Sequence, residues 1–172
     1  MRSKILIAIM LIPFLTMAQE TPANSFFNKH SGEKGYTSVH ITQYMFDLFS
    51  KISNEKEEKD FKEVTSNLTS IKILTVDSSF YVNSDTKFEK EILSTLPESI
   101  YKELMIIKEG RETIKFLINE KGKRISEFIM IVYGTPEPVL IYLEGDITLR
   151  QVSKLSKTMN VKGFEHLDKI RE

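Results

Sequence analysis

A histidine and two carboxylates are the residues of this chain whose types and setting could do chemistry. Glu144 and Asp146 stand two apart at the end of the apolar run Val139 to Leu143, where side chains of like parity point to one side of a strand. Such a carboxylate pair can act as general acid and base or hold a hard cation. A simpler use competes with this. Gly145 allows a tight turn, and Asp146 can cap the following helix with its charge near the positive end of the helix dipole. The cap is preferred because it requires only local chemistry. His40 alternates with Val39 and Ile41, which leaves its ring on the less apolar side of a short strand. His30 and His166 lie far from it, and none of the three histidines has the spacing of a metal motif. No catalytic, cofactor-binding or metal-ligating residue is therefore assigned, and no cofactor is expected. His40, Glu144 and Asp146 stand as polar candidates.

The other chemical signatures are missing or have plain readings. There is no Gly-x-Ser-x-Gly elbow, no phosphate-cradling glycine loop and no dinucleotide fingerprint. Without cysteine the chain has no thiol nucleophile, no disulfide framework and no lipid-modified cysteine. Lys121, Lys123 and Arg124 crowd one turn, which reads as a solvated tip and, less economically, as a contact for an anionic head group or an acidic partner. These observations weigh against an enzyme.

Charge narrows the partners. The chain has 24 basic and 24 acidic residues, so it lacks the clustered positive field from which nucleic-acid binding draws its affinity. Its beginning reads as a targeting segment. Met1 to Lys4 carries Arg2 and Lys4, the 11 residues Ile5 to Leu15 are apolar, and Thr16 and Ala18 supply small side chains before a cut expected between Ala18 and Gln19. That run falls short of the about 20 residues needed to cross hydrocarbon, and no second segment is long and apolar enough. Residues 1–18 are thus expected to be a cleavable signal peptide. The mature protein is expected in the periplasm or outer envelope, or secreted, without a transmembrane segment.

The elements that must position the polar candidates follow from periodicity. Residues 19–35 mix Pro, Asn, Ser and Gly around a single apolar pair, Phe26 and Phe27, and read as a flexible arm. Residues 36–172 then read as a single domain. Thr37 to Ile41 alternates as a strand, and Thr42 can cap a helix bearing Tyr44, Met45, Leu48, Phe49 and Ile52 on one stripe. A second helix is expected from about Glu55 to Leu68, with Phe61, Val64 and Leu68 as its apolar face. Ile71 to Val76 is β-branched and short, hence a strand. Ser84 or Asp85 can cap a third helix carrying Phe88, Ile92, Leu93 and Leu96, which Pro97 stops.

From there the period switches to two. Tyr101 to Lys108, Thr113 to Asn119, Ile125 to Tyr133 and Val139 to Leu143 are strands joined by short turns, so they must pair as an antiparallel meander. Phe128 to Tyr133 runs without a polar break, so that strand should be central and covered on both faces, or covered on one and apolar on the other. A last helix begins after Asp146 or Thr148 with Leu149, Val152, Leu155 and Met159, and Phe164, Leu167 and Ile170 form a final packing strip. The sum is an α+β fold: a mostly antiparallel sheet of about six strands with three or four amphipathic helices on one face.

The order of these features resembles a known family. A signal ending in Ala-Gln, the Phe26-Phe27 pair, HSGEKGYTSVHIT, IKILTV, YKELMIIKEGRETIKFLI and the ending LIYLEGDITLRQVSKLSKTM together look like the exported bacterial proteins grouped as domain of unknown function 4252. The resemblance implies an exported bacterial domain of this size. It implies no reaction, cofactor or site residue. The expected function is a non-catalytic binding or adaptor module of the cell envelope, contacting another envelope protein through an uncovered sheet face or through the arm. The alternative is a small-ligand-binding protein or an enzyme with a pocket between sheet and helices. No sequence feature specifies an oligomeric state.

Overall fold

In a computed structural model, residues 20–52, 65–81, 87–122 and 124–152 are described, together with 62 and 154. The expected signal peptide, the cap at Ser84 or Asp85, most of the second helix and the packing strip Phe164, Leu167 and Ile170 lie outside the described residues. Ten elements can be bounded among the described residues: α1 (Pro22–His30), β1 (Tyr36–Thr42), α2 (Gln43–Ile52), β2 (Leu68–Val76), the short α3 (Ser78–Tyr81), α4 (Lys87–Thr95), β3 (Lys102–Glu109), β4 (Glu112–Lys121), β5 (Arg124–Tyr133) and β6 (Val139–Ile147), and a last helix begins at residue 149. The strands make one six-stranded sheet in the order β1-β2-β6-β5-β4-β3. Every neighbouring pair is antiparallel. The fold is α+β, and β3 to β6 form the expected meander.

Two corrections concern the helices. Residues 22–30, expected as part of a flexible arm, are the helix α1, with Ala23, Phe26, Phe27 and His30 buried. Those four recur at i, i+3, i+4 and i+7, one stripe of a helix. Pro22 opens it where a missing N–H costs nothing, and Lys29 and His30 in its last turn suit the dipole. Polar residues on the outer side disguised the stripe. The helices also cover both faces of the sheet, not one. On one face Leu74, Ile129, Ile131, Leu140 and Tyr142 pack with Phe26 and Phe27 of α1 and with Phe88 and Ile92 of α4. On the other Ile71, Phe116, Phe128, Met130, Ile141 and Leu143 pack with Phe46 of α2 and with Val152. The unbroken run Phe128 to Tyr133 of β5 compels this, because alternate side chains leave on opposite sides and both rows need cover.

The β2–β6 end is set by a close approach. Asp146 N–H donates to the Asn67 carbonyl at 2.9 Å. A Cβ at Gly145 would collide with that same carbonyl, so the position admits only glycine without a shift of backbone. The expected tight turn at Gly145 is therefore an extension of β6 to Ile147. Leu68 belongs to β2, so the preceding helix ends before it.

Candidate functional site

The polar residues gather under α1. Pairing places His40 opposite Lys72, Lys72 opposite Tyr142, and Ser70 opposite Glu144, which in turn faces Glu127. Glu127 is 2 % exposed, the most buried carboxylate among the described residues. Tyr142 Oη donates to its Oε1 at 2.6 Å, and Asn119 Nδ2 donates to its Oε2 at 2.6 Å. Thr21 Oγ1, just ahead of α1, also donates to Oε1. Beside this network, the Ala23 N–H donates to Tyr101 Oη at 3.2 Å. Burial pushes the Tyr101 hydroxyl up to about 12, and burial followed by the Glu127 hydrogen bond raises Tyr142 as well. The Lys72 ammonium donates to Asn24 of α1 and lies over the rings of Phe27 and Tyr142, at 5.7 and 5.5 Å from their centroids.

The three expected candidates do not converge on one site. His40 is exposed on the edge strand β1, with its ring 6.2 Å from that of Phe27. Its pKa is held below the usual value by burial and then by Lys72, against the opposing pull of Glu144. Glu144 accepts from Ser70 Oγ at 3.3 Å and borders a cleft of about 200 Å³ with Thr21, Thr69, Ser126 and Glu127. Asp146 is paired with Arg124 and does not cap the last helix. Thr148 does: its Oγ1 accepts from the Gln151 N–H at 3.3 Å, and its own N–H donates back to Gln151 Oε1 at 2.9 Å. This reciprocal arrangement satisfies two orphan donors at once, which a carboxylate inside β6 cannot do.

Sequence reasoning missed Glu127 and Lys72. Each is a lone charge in an apolar strand, within Ser126-Glu127-Phe128 and Ile71-Lys72-Ile73, and that interruption was the available signal. It also passed over the partners of His30. The buried His30 ring meets Glu33 at 2.5 Å through Nδ1 and Glu91 at 3.2 Å through Nε2, and stacks on Tyr36 at 4.7 Å.

Chemically, these groups are spent on each other. Both Glu127 oxygens are occupied, Lys72 is held between two rings and an amide, and no buried side-chain donor or acceptor among the described residues lacks a partner. No group of three histidines or carboxylates among the described residues could hold a metal ion. The network pins α1 to the sheet.

The opposite character appears where β1 meets α2. Phe46 points into the core, while Tyr44 is 76 % exposed and Met45, Leu48, Phe49 and Val39 are each more than 40 % exposed. The strand beside them, YTSVHIT, carries no acidic residue, lysine or arginine. The far edge of the sheet differs. β3 reads KELMIIKE, with a register shift after Glu103 and cross-strand ion pairs from Lys102 to Glu120 and from Lys115 to Glu103. Charges and irregular pairing of this kind keep an edge from adding another strand.

A family model described as Domain of unknown function (DUF4252) matches residues 27–155, about three quarters of the chain. No curated protein and no solved structure matches. No helix among the described residues is long and apolar enough to cross a membrane.

Proposed function

The chain belongs to the family described as Domain of unknown function (DUF4252), and from that premise we propose that it is a non-catalytic binding module of the cell envelope, exported by residues 1–18. It engages a protein partner through α2 and the adjoining edge β1. The observation that carries this is the exposed apolar set Val39, Tyr44, Met45, Leu48 and Phe49 beside an edge strand without fixed charge. Apolar side chains clustered in this way mark association surfaces more often than chance exposure. The internal use of Glu127, Lys72 and His30 supports the non-catalytic part of the reading.

The arm considered from sequence has no place in this scheme, because Phe26 and Phe27 are buried in the core. Photo-cross-linking from position 48 in living cells tests the proposal. Capture of one defined envelope protein is expected from Leu48 and not from Ile106 on β3. Equal capture at both positions, or none, would refute it. N-terminal sequencing of the same material should begin at Gln19.

A second reading has one observation behind it. A groove of about 640 Å³ runs between α4 and the β3–β4 edge, floored by Leu93, Leu96, Tyr101 and Leu117 and rimmed by Glu98 and Lys102. That is room for a small ligand with an apolar body and a polar end. Native mass spectrometry of protein taken from its host would show a retained small molecule if this reading held.

A further inference from the structure

We infer that the partner of the β1 edge is a second copy of this chain, joined by antiparallel pairing of the two β1 strands about a two-fold axis at Val39. This rests on the binding-module reading and names the partner.

The strand itself supplies the argument. Among the described residues, β1 runs from Tyr36 to Thr42 at the end of the sheet and pairs only with β2, on its inner side. Its outer side presents a row of backbone donors and acceptors, a template for one more strand. Val39 is its midpoint. Antiparallel pairing of the strand with itself about Val39 therefore overlaps its full length, setting Val39 against Val39, Ser38 against His40, Thr37 against Ile41 and Tyr36 against Thr42. Each pair keeps both members on the same face of the enlarged sheet.

None of these contacts opposes two like charges, and β-branched partners are favoured across strands. Partial desolvation and the neighbouring Lys72 disfavour the charged form of His40, and the strand carries no acidic residue, lysine or arginine. An isologous interface also needs one patch that complements itself, which an uncharged strand does better than a charged one. Pairing through β3 would have to desolvate Lys102, Glu103, Lys108 and Glu109 and to match a strand whose register shifts after Glu103.

A pair of seven-residue strands alone falls short of the roughly 800 Å² per partner of a stable interface. The surface of α2 supplies more. α2 lies against β1 and β2, and Tyr44, Met45 and Leu48 are exposed on it. A second molecule seated on β1 brings its own α2 to the same side of the joined sheet.

The natural chain has no cysteine, so single substitutions report contacts without background. In the full chain, Val39→Cys should form a disulfide-linked dimer under mild oxidation, because directly opposed residues stand about 4.5–5.5 Å apart, within disulfide reach. Thr37→Cys should not, since its symmetry mate lies four residues along the partner strand, about 13 Å away. Ile106→Cys on β3 is the second control. Light scattering on the unmodified chain should give twice the monomer mass. Val39→Lys should return it to a monomer with the circular-dichroism spectrum of the unmodified chain, its melting temperature lowered only by the lost association, whereas Ile106→Lys should leave the dimer intact.

A monomer at every concentration, or cross-linking that is no stronger at position 39 than at 37 or 106, overturns the pairing. If the chain is monomeric yet position 48 still captures a foreign protein, the pairing falls while the binding-module reading survives. A dimer with its cross-link at position 39, with position 48 capturing only a second copy of the chain, supports the pairing and removes the foreign partner.

Discussion

The region under α1 and the region around α2 are built from similar material and end in opposite states. Both are amphipathic helices laid against an antiparallel sheet. Beneath α1, aromatic rings and charged groups close on one another: Phe27, Tyr142, Lys72 and Glu127 are all buried and partnered. Around α2, Phe46 reaches the core, while Tyr44, Met45 and Leu48 beside it are largely exposed. The difference teaches that the groups with chemical potential hold this fold together, while the surface open for association is nearly free of them.

The contrast can be broken most forcefully at Phe27. Phe27→Ala removes the ring that packs α1 on the sheet and shields Lys72, and should cost about 3–5 kcal/mol in urea unfolding. A cost below 1 kcal/mol would mean that α1 is an appendage after all, as its composition first suggested. Glu127→Gln comes next. It keeps the shape but sets an amide donor against Tyr142, Thr21 or Asn119, so one buried donor goes unpaired at about 1–3 kcal/mol. A neutral outcome would deny the network its holding role.

A smaller effect belongs to alkaline pH. In the unfolded chain a tyrosine ionises near 10, while Tyr101 in the folded protein resists until about 12. The folded state therefore holds the proton more tightly, and stability is lost as pH rises from about 10 to about 12. Tyr101→Phe should flatten that limb of the denaturation profile, and an unchanged slope would place the titration elsewhere. The smallest effect on stability is expected on the other side of the comparison. In the monomer, at a protein concentration too low for association, Leu48→Glu should shift unfolding by no more than about 0.5 kcal/mol, as exposed positions do. Should its melting temperature fall by many degrees, α2 is a core helix and the comparison dissolves.

Much of this architecture was legible in the chain. The strands expected at Thr37 to Ile41, Ile71 to Val76 and Ile125 to Tyr133 each lie within an observed strand, because alternation and β-branching act locally. The helix carrying Phe88 and Ile92 is present for the same reason. The site was much less legible. His40 and Glu144 were chosen from parity along single strands, whereas their surroundings depend on which strand lies alongside. Only the insertion of β6 between β2 and β5 brings Glu144 beside Glu127 and Tyr142 beside Lys72.

Asp146 was misread for a related reason. Capping looked local, but an approach from Asn67 keeps that stretch in the sheet and moves the cap two residues on. What the amino-acid order determined alone was the alternation of strands and helices, the meander of β3 to β6 and the near-neutral charge. Tertiary structure decided which faces were covered, which lone charges found partners, and which edge of the sheet stayed open. Periodicity is a property of neighbours in the chain, while burial and partnership depend on segments far apart in it, and no local pattern carries that distance.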